Sequence, residues 1–210
     1  LVLVHPEHRG RGIASRMMRW AVERAHEEGW TAMLDATEQG SHVYRKLGFR
    51  TKDTLYRCVL EETPSRPMPG NQEDRDPMQA AEVAEVAAWE YARNGLDRHH
   101  LMTLWLQTGP VRGRVDRYSD SQIRGFSFSR PGRTVPHLGP VYADDATLFR
   151  EQVRWHKRHH PGPILMDLTG NGLAQARETW GERLRVEREF LRMGLGENQI
   201  GRASCRERVC

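Results

Sequence analysis

The β-favouring run Leu1-Val2-Leu3-Val4 leads through His5-Pro6-Glu7-His8-Arg9 into Gly10-Arg11-Gly12, which opens directly onto a helical pattern. The aliphatic run predicts a strand, and the proline and charges predict a turn. Ile13, Met17, Trp20, Ala21 and Ala25 then recur at the spacing of one helix face. A helix start leaves its first backbone N–H groups without intrahelical partners, and the positive end of the helix dipole lies behind them. Glycines there let the backbone approach a ligand closely, because no Cβ intervenes. The stretch therefore reads as an anion site suited to phosphate. Two other readings stay open. A strand, glycines, a helix, a second strand and Asp35 also sketch a dinucleotide-binding unit, although Ser15 stands where a third glycine belongs. The glycines could also serve a purely structural turn. A triphosphate loop is disfavoured, because no Lys-Ser or Lys-Thr follows them.

Downstream, Thr31 to Thr37 reads as a strand, Gly40 follows, and Val43-Tyr44-Arg45-Lys46-Leu47-Gly48-Phe49 closes a short helix. A phenol such as Tyr44 can donate a proton to a developing thiolate; the other reading is a core-facing helix tyrosine. Phe49 to Leu60 reads as a hairpin or a pair of short strands, with Cys58 a half-buried thiol. Residues 64–76, rich in proline, glycine and charge, read as a linker. Beyond it, helices are predicted over Ala80–Tyr91, from Leu96, over Asp145–His159 and over Gly172–Trp180. Strands are predicted over Ile123–Arg130, Val135–Ala143, Pro163–Asp167 and Arg183–Met193.

The second half reads as a worn copy of the first. Asp35-x-Thr37-x-x-Gly40 and Asp167-x-Thr169-x-x-Gly172 align, and the same offset places Ala176 opposite Tyr44. Asp144 and Asp145 stand at the helix start where the Gly-Arg-Gly loop would be; carboxylates there satisfy the free amides and repel a pyrophosphate. Asp35 could serve as a base, but its counterpart Asp167 argues for a structural role in a strand-end turn.

Arg9-Gly10-Arg11-Gly12-Ile13-Ala14 resembles the pyrophosphate loop of the GCN5-related N-acetyltransferase (GNAT) superfamily, with Arg9, Gly12 and Ala14 in the motif positions. Tyr44-Arg45-Lys46-Leu47-Gly48-Phe49 resembles the next GNAT segment. The resemblance implies that the amides of Gly10, Arg11, Gly12, Ile13, Ala14 and Ser15, with Arg9, hold the pyrophosphate of acetyl-CoA. It implies that the backbone of Leu3 and Val4 lies along the pantetheine arm, that the Val4 amide polarises the thioester, and that Tyr44 protonates the leaving thiolate. Thr37-Glu38 stands where many relatives carry a pantetheine-binding Asn. Trp89-Glu90-Tyr91-Ala92-Arg93-Asn94-Gly95-Leu96-Asp97-Arg98 and Leu138-Gly139-Pro140-Val141 are similar to the C-terminal domain of tandem GNAT proteins. The implied fold class is α/β (α+β): a partial GNAT fold, a mixed central sheet flanked by helices, followed by a second GNAT-like domain. Residues 1–63 are expected to be the C-terminal half of an acetyl-CoA-binding domain, and residues 77–199 the degenerate second domain. The implied activity is direct acetyl transfer, in a ternary complex, to a small-molecule or peptide amine; a catalytically silent ligand-binding or regulatory module is the alternative.

Other features narrow the classes. The chain opens without Met and inside a strand pattern, so an upstream part of the first sheet is expected to precede it. Residues 200–210 resemble translated adapter sequence and are set apart from the fold. Two of the four formal positive charges lie there (Arg202, Arg206 and Arg208 against Glu207), so the basic balance is weak support for nucleic acid. Cys205 and Cys210 lie there too, leaving Cys58, which suits a reducing cytoplasm and no disulfide framework. No apolar run is long enough to span a bilayer. His156 and His160 share a helical metal-pair spacing, but no third ligand suggests itself, so no metal is expected. The basic run from Trp155 to His160 reads as a solvated helix end.

Overall fold

Thr37 and Thr169 begin two helices in the same way. Each side chain accepts a hydrogen bond from the backbone N–H three residues on, Gly40 and Gly172, both at 3.2 Å. These caps start α2 (Glu38–Arg45) and α6 (Gly170–Trp180), and each follows a short strand, β1 (Met33–Ala36) and β6 (Ile164–Thr169). The carboxylate ahead of each cap is held by the arginine directly across the ladder. Asp35 receives both arms of Arg192 at 2.9 and 3.0 Å, and Asp167 those of Arg57 at 2.8 Å each.

The computed structural model describes residues 2–61, 76–160 and 162–195. Leu1, the adapter-like tail and all of the linker but Asp76 lie outside the described residues. The remaining elements are α1 (Ile13–Glu27), β2 (Arg50–Leu60), α3 (Val83–Asn94), α4 (His99–Thr108), β3 (Arg112–Arg117), β4 (Ile123–Arg130), β5 (His137–Ala143), α5 (Ala146–His159) and β7 (Leu184–Gly194). The seven strands form a mixed sheet in the order β1-β7-β2-β6-β5-β4-β3, flanked by helices, so the α/β class holds.

The described residues divide into two compact units, residues 2–54 with 189–195, and those lying between 55 and 188. In the smaller unit β1 pairs antiparallel with the end of β7, from Met33 opposite Gly194 to Ala36 opposite Leu191. Its core is Ala36, Phe49 and Met193, with Met18, Val22, Leu34, Tyr44 and Leu47 packed against them. In the larger unit β2 pairs antiparallel with β6, β4 with β5 and β3 with β4. β5 and β6 run parallel and pair only at His137–Leu165 and Leu138–Met166, then no longer pair. Strand alternation gives this unit two cores. Leu138, Val141, Met166 and Leu168 pack with Leu148, Phe149 and Val153 of α5 and with Leu173 and Ala176 of α6. Phe126, Phe128 and Tyr142 pack with Val83, Val86, Ala87 and Met102.

The structure corrects several expectations. Val2 to His5 form no strand, because a strand exists only through a partner and none pairs with them among the described residues; a 3₁₀ turn, Pro6–His8, follows. Residues 50–60 form one strand and not a hairpin. β3 carries no strand signal in the sequence. On α1 the inward stripe is Met18, Val22 and Ala25, whereas Met17 and Trp20 are exposed; two stripes of helical spacing overlap there, and core contacts select between them. The end of α5 is not solvated. Trp155, His156 and Lys157 are buried, and the His156 ring is held between Ser127 Oγ at 2.9 Å and Ser129 Oγ at 2.8 Å.

Candidate functional site

The turn before α1 is organised by backbone and arginine. His5 O accepts from the His8 N–H at 2.9 Å, and Pro6 O from the Arg9 N–H at 3.2 Å. Arg9 Nε donates back to Val4 O at 3.2 Å, and Arg16 Nη1 to Arg11 O at 3.0 Å. Gly10 and Gly12 adopt φ of +76° and +69°, the left-handed region that glycine enters at least cost. Gly12 is the N-cap of α1, and no side chain caps that helix start. The first N–H groups of Ile13, Ala14 and Ser15 are therefore left without intrahelical partners, and no carboxylate lies in the first turn. A Cβ built on Gly10 would meet nothing within 4 Å, and one on Gly12 only the end of Arg16 at 3.8 Å. The glycines are thus required by backbone conformation and not by crowding. An uncapped helix start behind a glycine turn suits an anion such as a diphosphate. Arg9 to Gly12 are exposed, Ile13 to Ser15 half-buried, Val4 half-buried and Leu3 exposed.

Tyr44 lies in the last turn of α2, half-buried, its ring edge-on to Phe49 with centroids 6.1 Å apart. Its carbonyl accepts from the N–H groups of Leu47 and Phe49, at 3.0 and 3.1 Å, which turns the chain into β2. Gly40 lies one helical turn earlier; a Cβ there would stand 3.7 Å from the Tyr44 ring and 3.3 Å from Thr37 Oγ1. Asp35 is tied to Arg192 and serves the strand end.

The corresponding helix of the larger unit is built differently. Asp145 is the N-cap of α5 and accepts from the Leu148 N–H at 2.8 Å. Asp144 accepts from Arg124 at 2.9 Å and from the Tyr118 hydroxyl, and Arg124 reaches Asp145 at 2.8 Å. Burial opposes ionisation of Asp144, but the Arg124 and Tyr118 hydrogen bonds hold its pKa below the usual carboxylate value. Two carboxylates thus stand where α1 presents open amides. Ala176, opposite Tyr44 in the repeat, is fully buried.

His156 belongs to the core. Burial first, then the charge of Arg114, pushes its pKa well below the ordinary histidine value, so the ring is neutral, with both nitrogens engaged by serines. Among the described residues no group of three or more His, Cys, Asp or Glu is placed to hold a metal, and no helix is long and apolar enough to cross a membrane. Three residues of the larger unit that carry no sequence motif, Arg57, Arg130 and His137, gather near Asp167. Their only sequence signal is positional, since Arg57 and His137 come within reach of Asp167 through strand register.

Comparison with known proteins agrees with this geometry. One acetyltransferase (GNAT) domain model matches residues 1–51, and another matches residues 86–202, more than half of the chain. A search of curated proteins finds no match. Among solved structures, a proposed acetyltransferase from Pyrococcus horikoshii is 21% identical with a TM-score of 0.70, over 98% of this chain and 65% of that one. A GCN5-related N-acetyltransferase from Kribbella flavida is 18% identical with a TM-score of 0.58, over 91% of this chain and 50% of that one. A tandem GNAT protein from the clavulanic acid biosynthesis pathway is 12% identical with a TM-score of 0.55, over 91% of this chain and 72% of that one. At these identities the likeness is one of fold, and this chain spans less than two thirds of the length of the first two. With the glycine turn, the uncapped α1 and the repeated strand–helix cap in place, the chain belongs to the acetyltransferase (GNAT) family.

Proposed function

We propose that the chain is part of an acetyl-CoA-dependent N-acyltransferase that moves an acetyl group to an amine by direct transfer in a ternary complex. The observation that carries this reading is the Gly10–Gly12 turn opening the uncapped N-terminus of α1. Arg9 and the amides from Gly10 to Ser15 would hold the pyrophosphate, with the backbone at Leu3 and Val4 along the pantetheine arm. Bound acetyl-CoA would supply a thioester whose carbonyl carbon the amine attacks, so that an N–C bond forms and the C–S bond breaks. The Val4 N–H would polarise that carbonyl. The Tyr44 hydroxyl would give its proton to the departing sulfur and recover one from the attacking nitrogen through solvent. The acceptor is a small-molecule or peptide amine. The larger unit, with Asp145 on its helix start and alanine at the Tyr44 position, would not bind a second acyl-CoA.

Calorimetric titration with acetyl-CoA tests the site. Binding in the micromolar range is expected, with a loss of at least tenfold in Gly12→Asp and little loss in Gly12→Asn. Asn and Asp both tolerate a left-handed backbone, so only the charge separates them. Equal binding by both variants would refute the anion site. With an amine acceptor identified by screening, Tyr44→Phe should slow thiol release by about 10²-fold or more at unchanged acetyl-CoA affinity; an unchanged rate removes the assigned role.

A further inference from the structure

On one face of the sheet in the larger unit, four strands bring charge together. Arg130 ends β4 and stands opposite His137 at the start of β5. His137 pairs with Leu165 of β6; Asp167 lies two residues further on the same face, and Arg57 of β2 is directly across from it. Arg98, just before α4, reaches the same neighbourhood and forks onto Glu90, which is fully buried on α3.

Two of the three arginines are matched by carboxylates within the cluster, Arg57 by Asp167 and Arg98 by Glu90. Arg130 is the third. It is half-buried, Nη1 donates to Gly139 O at 2.8 Å, and its guanidinium stands 5.3 Å from the Trp105 ring centroid. Among the described residues no carboxylate lies within ion-pair distance of it. Burial lowers its pKa; Asp167 opposes this, and the charges of Arg98 and Arg57 add to it. His137 Nε2 is buried and faces Asp167 Oδ2 at 3.4 Å, a long contact that leaves it without a well-formed hydrogen bond. A partly dehydrated guanidinium and an imidazole nitrogen with only a long polar contact, on neighbouring strands, both gain from a further polar group.

We propose that the larger unit binds a small monocarboxylate at Arg130, with His137 Nε2 as a second polar contact and the Trp105 ring as the apolar wall. The guanidinium fork matches a carboxylate and has donors to spare beyond the one given to Gly139. One uncompensated charge suits one negative charge, whereas a phosphate dianion would also face Asp167 and Glu90. Leu101, exposed one helical turn before Trp105, extends the apolar surface for the body of the ligand. This site is separate from the acyl-CoA turn and does not depend on the transfer reaction.

The test is titration of the full chain with benzoate, with benzamide as the neutral isostere and inorganic phosphate as the competing anion. Saturable benzoate binding is expected, at least tenfold tighter than either control. It should weaken at least tenfold in Arg130→Gln and about fivefold in Arg130→Lys, which keeps the charge but loses the fork. Acetyl-CoA binding should be unchanged in both variants. No benzoate binding, benzamide or phosphate binding as tight as benzoate, or variants that bind like the parent would each overturn the site. If Arg130→Gln does not fold, the lysine variant decides.

Discussion

Cys58 illustrates how strongly burial alone sets the chemistry of one residue. Its side chain is fully buried between β2 and the helices of the larger unit, and this pushes its thiol pKa up to about 11, against the opposing charge of Arg177 and with a further push from Asp167. The thiolate is the reactive form, so at pH 8 the raised pKa alone cuts reactivity about a hundredfold relative to an ordinary thiol. In a Cys205→Ser, Cys210→Ser background, iodoacetamide should leave the folded protein unlabelled over minutes and add one equivalent in guanidinium. Native labelling at the rate of a free thiol would contradict the packing. The sequence shows this residue as a half-buried strand thiol because alternation marks a side and not a depth. His156 was hidden for a related reason. Its run of basic neighbours suggests water, but its partners Ser127 and Ser129 lie on β4, far away in sequence.

At the scale of elements, the twice-used Asp-x-Thr-x-x-Gly segment was legible because capping is local. The repeat itself is read directly from the spacing, and the threonine cap it carries is a contact within three residues. The arginine across the ladder was not legible, since register between strands so distant in the chain leaves no local mark. The two copies differ in burial, and that difference predicts their energetics. The Asp167–Arg57 pair is partly sheltered, while Asp35–Arg192 is more open, the side chains being 24% and 40% exposed at the aspartates. Burial opposes ionisation of Asp167, but the two hydrogen bonds from Arg57, with His137 beside them, hold its pKa well below the carboxylate range. Asp167→Asn should cost about 1–2 kcal/mol, after allowing for the water that reaches Arg57, and Asp35→Asn no more than about 0.5 kcal/mol. A group with a depressed pKa stabilises the fold above its unfolded value and loses that contribution as pH falls through the folded one. The parent should therefore lose stability relative to Asp167→Asn below about pH 4, and the gap between them should be constant at higher pH. Denaturant unfolding between pH 2 and 7 measures this; a gap that stays flat down to pH 2 would show that the pair contributes nothing. Strand β3 escaped sequence reading for the opposite reason. Arg114 and Asp116 look like loop residues, yet both are buried, joined to each other at 2.6 Å, with Gln152 Nε2 on the same carboxylate at 2.9 Å.

For the whole molecule, the sequence repeat suggests two domains laid end to end, and the strand pairing assigns the chain ends in another way. The smaller unit takes its strand partner from the far end of the chain: Ala36 of β1 faces Leu191 of β7, and Met193 is fully buried beside Ala36 and Phe49. Nothing local in Leu191-Arg192-Met193 marks this destination, because an alternating strand pairs with any edge that offers a matching apolar face. The consequence is selective. Met193 lies in the core of the smaller unit, so Met193→Ala removes buried volume there, at a cost of about 2–5 kcal/mol. Hydrogen exchange on the intact chain, read by mass spectrometry, should show reduced protection over Ile13–Thr54 while Ile123–Thr169 keeps its own. Equal loss in both segments would mean that the units unfold as one. Loss confined to Ile123–Thr169 would mean that β7 serves the larger unit alone, and the pairing of β1 would have to be redrawn.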